Sequence, residues 1–207
     1  MPEPVSLAQV KEHLRLDDGD TSQDGYLSAI IIAARRACEN QINRSIVGRD
    51  EVLELDQFPS LIPSNTTVPG LATFPLEAWN VDALTIHLPG GTVQAVDSVT
   101  YRDGNGAIVT LDPASYREDI DRRPARLIPV ERWPLTTASG PAEIKIFYSV
   151  SPLEPDDMAV VGQAMLLLIE GWYSHRSATA VDTRGIPTEV PLAVTWLLAP
   201  LRQFATD

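Results

Sequence analysis

Hydrophobic positions in the first fifty residues recur at the spacing of helices. Leu7, Val10 and Leu14 lie three and four residues apart, and Ser6 before them begins a pattern typical of a capping box. A longer helix is predicted over about residues 22–43, because apolar residues there also recur at helical spacing. We expect the charged residues of this second helix to stay on its polar face: Arg35, Arg36 and Glu39.

From about residue 46 the hydrophobic pattern changes to the alternation that is typical of strands. The stretch from Asp103 to Gly106, between two alternating segments, predicts a hairpin turn. The proline-rich residues 59–75 predict a long loop or arm. The predicted strands are 52–55, 81–88, 93–102, 107–111, 116–119, 125–129 and 143–148.

Two uncharged apolar runs, Met158–Ile169 and Val190–Leu201, predict that the chain returns to helix. Each is far shorter than the roughly 20 residues that cross a bilayer, which argues against a membrane span. Each is apolar around most of a helical circumference, and such helices are normally buried on several sides. We therefore expect neighbouring subunits to cover part of them. The predicted helices span about residues 155–175 and 190–204, and Pro200 is expected to kink or end the second.

This order of elements predicts an α+β fold. Two N-terminal and two C-terminal helices would form one helical bundle, because neither pair can bury its apolar surface alone. An antiparallel β region would be inserted between the two pairs. The predicted boundaries are residues 1–50 for the N-terminal helices, 51–150 for the β region and 151–207 for the C-terminal helices.

Charge argues against binding to nucleic acid. The chain of 207 residues has a net charge of −12, and an acidic protein holds phosphate backbones only where its basic residues cluster. The densest basic stretch, residues 117–132, has four acidic residues among its five arginines. It therefore predicts a salt-bridged, solvated face. A single cysteine excludes an internal disulfide and fits a reducing compartment, and the N-terminus has no features of a secretion signal.

No catalytic, metal or cofactor site is predicted. His13, His87 and His175 share no metal-ligand spacing, and Cys38 lies on the apolar stripe of a helix, where a core role is expected. The acidic residues between Asp17 and Asp24 lack the ligand order of an EF-hand and indicate a helix-capping turn. Two tryptophans within the apolar helices could be core residues or interface anchors, and both interpretations stay open. These are Trp172 and Trp196.

Several short stretches, in this order, resemble the head–tail connector (adaptor) proteins of long-tailed bacteriophages and gene transfer agents. The resemblance extends over nearly the whole chain, although no single stretch is diagnostic. The stretches are Pro4–Ala8, His13–Asp17, Ile30–Arg35 with Asn43 and Arg44, Val96–Tyr101, Asp103–Gly106, Leu111–Pro113 with Tyr116, Ala125–Leu127, Trp133–Pro134 and Gln163–Tyr173. The proline-rich arm is longer than this resemblance leads us to expect.

The resemblance implies a structural protein without catalysis or cofactor. It implies a dodecameric ring beneath the portal protein, at the head–tail junction of a virion assembled in the bacterial cytoplasm. The ring would extend the DNA channel without binding DNA specifically, contact no membrane, and dock the stopper or a tail-completion protein. We expect partner binding at the C-terminal residues Trp196, Leu201, Arg202, Gln203 and Phe204. The alternative is another structural component of the virion neck or tail.

Overall fold

The computed structural model describes residues 3–60, 81–134, 143–174 and 192–203. These residues form four α-helices and seven strands, and every strand pair is antiparallel, so the predicted α+β class is confirmed. The chain divides into two compact units. The helical unit combines residues 1–48 with 152–204, and the β unit comprises residues 49–151.

The helical unit contains α1 (Leu7–His13), α2 (Asp24–Ile42), α3 (Pro155–Ser174) and α4 (Leu192–Leu198). A 3-10 turn, Ala199–Leu201, follows α4 directly. The last helix is therefore shorter than predicted in the described region. Pro200 has no backbone N–H to donate to a preceding turn, so the α-helix ends before it.

Local signals mark the ends of the first two helices. Ser6 caps α1 in a capping box, since the Gln9 N–H donates to Ser6 Oγ (3.3 Å) and the Ser6 N–H donates to Gln9 Oε1 (2.8 Å). Asn43 ends α2 with a left-handed backbone (φ 54°), and its N–H donates to the Glu39 carbonyl. The predicted capping box is confirmed.

One hydrophobic core joins the helices of this unit. It includes Leu27 and Ile42 of α2, Met165 and Ile169 of α3, and Leu198 of α4, all almost completely buried. The expectation that α3 needs neighbouring subunits is wrong for most of its apolar residues, because this core buries or half-buries them within the single chain. Trp172 of α3 and Leu192 and Trp196 of α4 stay exposed in the single chain, and their cover by a neighbouring subunit stays a prediction.

The charged residues of α2 correct a second expectation. Arg35 and Glu39 do not stay on a solvated face but are 8% and 5% exposed, whereas Arg36 is exposed. Burial of both is possible because their side chains pair with each other one helical turn apart.

The β unit contains two antiparallel sheets that share one hydrophobic core. One sheet has the order β1-β7-β3-β4 and the other the order β2-β6-β5. Val99, Leu127, Ile144 and Ile146 are completely buried in this core. The strands are β1 (Arg49–Leu55), β2 (Ile86–Leu88), β3 (Val93–Arg102), β4 (Ile108–Thr110), β5 (Tyr116–Asp119), β6 (Ala125–Pro129) and β7 (Ile144–Val150).

The strand prediction fails at one place. Val81–Leu84 forms a 3-10 turn rather than the first half of a strand, and only Ile86–Leu88 is extended. The Leu84 carbonyl accepts a hydrogen bond from the indole Nε1–H of Trp133 (2.6 Å). Pairing of this segment with β6 begins only at Ile86, opposite Leu127. Residues 61–75 of the predicted arm lie outside the described residues.

Candidate partner-binding surface

Helix α4 buries one side and exposes apolar side chains on another. Val194 and Leu198 are buried in the helical core, whereas Leu192 and Trp196 are 70% and 73% exposed. The two exposed residues are four positions apart, so their side chains are neighbours on one face of the helix. No residue between 192 and 201 is charged. We call Leu192 and Trp196 together the α4 apolar face.

The segment after α4 is attached to the end of α2. The Gln203 N–H donates to the Ile42 carbonyl (2.8 Å), and Leu201 packs half-buried against the helical core. Arg202 is exposed. The proposed site residues therefore separate into exposed Trp196 and Arg202 and inward-packed Leu201 and Gln203, while Phe204 lies outside the described residues.

A buried charge network fixes the N-terminal segment to α2. Arg35 Nε donates to Glu3 Oε2 (2.7 Å), and Arg35 also pairs with Glu39 Oε1 (3.2 Å). Glu39 Oε1 accepts the Ile46 N–H (3.1 Å), and Glu39 Oε2 pairs with Arg36 (3.1 Å). Burial alone would lower the pKa of Arg35, but the carboxylates of Glu3 and Glu39 raise it. Sequence reasoning missed this network, although the Arg35–Glu39 spacing of four was a usable signal.

The acidic turn between α1 and α2 is organised by a buried lysine. Lys11 Nζ donates to the carbonyls of Asp18 (3.3 Å) and Asp20 (2.8 Å) and pairs with Asp24 Oδ1 (2.7 Å). Hydrogen bonds from Ser22 lower the pKa of Asp20. The Lys11 ammonium thus occupies the place that a metal cation would take. The expected capping is not seen, because the N-cap residue of α2, Gln23, makes no side-chain hydrogen bond to the helix, and Asp17 and Asp20 instead accept from the N–H groups of Gly19 and Ser22 within the turn.

In the described part of the chain, the remaining reactive side chains are not assembled into a site. Burial, with Glu39 nearby, raises the pKa of Cys38 to about 12, so its thiol is protonated and inert at neutral pH. His13 Nε2 lies 3.2 Å from Glu170 Oε2, His87 is exposed, and His175 is outside the described residues. Within the described ranges, no group of three or more potential ligand residues could hold a metal ion. Nor does any helix there have the length and apolar character to span a membrane.

The arginine-rich stretch is partly neutralised by ion pairs. Asp119 Oδ2 lies 2.8 Å from Arg126 Nε and 3.7 Å from Arg122 Nε. These ion pairs agree with the predicted salt bridging, but the face is only partly solvated, because the side chain of Arg122 is 65% exposed and that of Arg126 only 19%.

Comparison with known proteins supports the resemblance stated from the sequence. The family model described as phage gp6-like head-tail connector protein matches residues 4–72, one third of the chain, and so confirms the resemblance there. The comparison with curated proteins finds no match.

Solved structures of gene transfer agent particles have the same fold over nearly the whole chain. A chain in the neck of an empty particle, computed with C6 symmetry, is 19% identical, with a TM-score of 0.62. A chain in the virion of a native particle is 19% identical, with a TM-score of 0.63; both matches cover 99% of this chain and 92% of the other. A chain in the neck of a native particle, computed with C12 symmetry, is 18% identical, with a TM-score of 0.59, and the match covers 97% and 90%.

Proposed function

We propose that this protein is a head–tail connector subunit of a phage or gene transfer agent. Copies form a ring, a dodecamer, beneath the portal protein at the head–tail junction. The ring extends the DNA channel and docks the stopper or a tail-completion protein on its far side. The protein assembles in the bacterial cytoplasm and has a structural role without catalysis.

The observation that carries this proposal is the agreement of two comparisons, one with part of the chain and one with nearly all of it. The family match is confined to residues 4–72, whereas the likeness to neck proteins extends over 97–99% of the chain and therefore includes the β unit. A shared fold does not by itself establish a shared function. The family match supplies the functional part of the argument, and the fold extends it to the whole chain.

The surface properties suit a conduit for DNA that does not bind it. With a net charge of −12 per copy, a ring of twelve repels the phosphate backbone. Where arginines are dense, ion pairs with Asp119 reduce their availability to phosphates. DNA then passes through the ring without specific contact.

The α4 apolar face is the proposed contact with the portal protein, together with Arg202. Leu192 and Trp196 are large, exposed and free of neighbouring charge on α4. Exposed tryptophan and arginine side chains are the types that most often contribute binding energy at protein interfaces.

The test is to add the purified protein to heads that carry portal but lack a neck, and to image the particles by electron microscopy. The expected result is a twelvefold ring directly on the portal, seen only when the protein is added. Density at another level of the neck or tail would replace this proposal with the alternative structural component. Absence of the protein from the particle would overturn both.

A further inference from the structure

The four-stranded sheet of the β unit has two outer strands, β1 and β4, and the backbone groups of their open edges can be identified. At the two ends of β7, in the residues that directly flank it, Glu143 O accepts from Arg102 N (3.0 Å) and Ser151 N donates to Thr92 O (2.8 Å). Odd-numbered positions of this strand therefore face β3, and even-numbered positions face β1, because successive residues point to alternate sides.

This alternation assigns the open edge of β1. The even positions of β7 lie opposite odd positions of β1, as in the pair Arg49–Val150. The N–H and C=O groups of the intervening residues consequently point away from β7. Within the described part of the chain, β1 has no other strand beside it. The three outward-pointing residues are Asp50, Val52 and Glu54.

The open edge of β4 follows in the same way. Leu111 N donates to Val99 O (2.8 Å) and Asp103 N donates to Ala107 O (2.9 Å), so the odd positions of this strand face β3. The backbone groups of Ile108 and Thr110 then point outward. All three residues of β4 are exposed, and among the described residues β4 pairs with β3 alone.

Each edge also carries an exposed aliphatic side chain on the same face of the sheet. Val52 is 46% exposed and Ile108 is 72% exposed. Val52 precedes Leu53, which packs against the core, and Ile108 lies opposite Arg102, the neighbour of core-packed Tyr101. Both aliphatic side chains therefore lie on the face that is turned away from the core of the β unit.

We propose that β4 of one copy pairs with β1 of the next copy in the ring, so that the four-stranded sheets continue from subunit to subunit. This inference rests on the proposed function, because it specifies the contact between copies of the ring. Since the sheet has four antiparallel strands, β1 and β4 run in opposite directions. Rotation about an axis along the strands then places β4 antiparallel to the next β1. A contact of this head-to-tail kind closes into a ring when the rotation from copy to copy is a whole fraction of a full turn, as in a dodecamer.

In the register with Ile108 opposite Val52, the outward-pointing backbone groups of the two edges can form hydrogen bonds with each other. It places the two aliphatic side chains side by side and Thr110 opposite Asp50, so no acidic residue of β4 opposes one of β1. Pairing of β1 with a second β1 about Val52 would instead place Asp50 opposite Glu54, and like charges directly opposite are unfavourable. Charge therefore favours pairing of β4 with β1 over pairing of β1 with a second β1.

A disulfide across this register tests the proposal. In the full chain carrying both Val52→Cys and Ile108→Cys, opposite residues would have Cα atoms about 5.5 Å apart, a distance that a disulfide bridges. Rings assembled on portal-containing heads and mildly oxidised should give a series of covalent oligomers on a non-reducing gel. The matched control combines Ile108→Cys with Val130→Cys, an exposed position outside the four-stranded sheet, and should stay monomeric. The buried native Cys38 does not compete.

The outcomes separate this inference from the proposed function. Rings that form without the covalent series would overturn the edge pairing and leave the ring intact. Dimers from Ile108→Cys alone would show a symmetric β4–β4 contact, which also overturns it. Failure of the unmodified chain to form any ring would overturn the proposed function and the edge pairing together.

A second variant tests the contact without a covalent bond. Ile108→Lys places a charge on the open edge, a change that blocks edge pairing. It should reduce ring formation at least tenfold while leaving the far-ultraviolet circular dichroism unchanged, because the Ile108 side chain is exposed and its backbone does not bond to β3. Val130→Lys is the matched control. Normal ring formation by Ile108→Lys would contradict the proposal.

Discussion

The Glu39 carboxylate accepts hydrogen bonds from Arg35, from Arg36 and from the N–H of Ile46 in the helical unit. We expect Glu39→Ala to lower the free energy of unfolding by about 3–5 kcal/mol, because it leaves the buried Arg35 with one carboxylate fewer and the buried Ile46 N–H without this acceptor. Chemical denaturation with circular dichroism measures the change. Such a loss would show that α2 depends on a polar contact inside its core.

The matched control for this substitution is Glu12→Ala on α1. Glu12 is exposed, so its loss should change the free energy of unfolding by less than about 0.5 kcal/mol. Similar small values for both variants would contradict the structural role assigned to Glu39.

Cys38 gives a second prediction at the scale of the residue. Its thiol is completely buried on α2, and burial with Glu39 nearby raises its pKa to about 12. The folded protein at pH 8 should therefore react with a thiol reagent at least a hundredfold more slowly than the chain in denaturant, where the pKa returns to about 8.5. Absorbance of the released chromophore measures both rates. Rapid labelling without denaturant would mean that the core around α2 opens readily.

Among the elements, α4 allows a role in binding to be tested separately from a role in stability. Trp196→Ala should leave the free energy of unfolding within about 0.5 kcal/mol of the original, since the side chain is 73% exposed. The same substitution should weaken attachment to portal-containing heads about thirtyfold, equivalent to about 2 kcal/mol for a central interface residue. Co-sedimentation with the heads measures attachment.

A buried tryptophan provides the contrast to Trp196. Trp133 is 7% exposed, stacks on Phe58 at 5.0 Å and donates to the Leu84 carbonyl. Trp133→Ala should destabilise the β unit by about 3–5 kcal/mol. If Trp196→Ala destabilised the protein to that extent while attachment per folded molecule stayed normal, the α4 apolar face would be a packing surface instead.

Elements with strong periodicity could be predicted from the sequence, and those set by distant contacts could not. The strands over residues 93–102, 116–119 and 125–129 agree with the structure because alternation is a local property. The 3-10 turn at Val81–Leu84 depends in part on Trp133, far along the chain. Burial of Arg35 and Glu39 likewise needed partners at Glu3 and Ile46. Trp196 was identified as a candidate site residue, but the inward packing of Leu201 and Gln203 was not.

For the whole molecule, the C-terminal segment has a role in the fold as well as its proposed role in binding. Deletion of all residues after Ala199 would remove Leu201, which packs on the helical core, and Gln203, whose N–H donates to the Ile42 carbonyl. A loss of attachment in such a truncation could therefore come from a loss of stability. Attachment is therefore better tested with Trp196→Ala than with a truncation.

The last prediction concerns the two units. In each of them, the residues at which the chain enters and leaves the unit lie next to each other. In the helical unit Leu153 N donates to the Ile46 carbonyl (3.0 Å), and in the β unit Arg49 pairs with Val150. Residues 49–151 expressed alone, and the chain with those residues replaced by a short Gly-Ser linker, should each unfold cooperatively with about 5 kcal/mol, the lower end for a domain of this size.

Deletion of α3 is the control for these two pieces, because it removes Met165 and Ile169 from the helical core and should abolish cooperative unfolding. Calorimetry of all three proteins shows which of them unfold cooperatively. If the β unit folded alone but the linker variant did not, the helical unit would depend on residues 49–151 for its stability. The β region would then be an integral part of a single domain, rather than an insertion into a bundle that is stable without it.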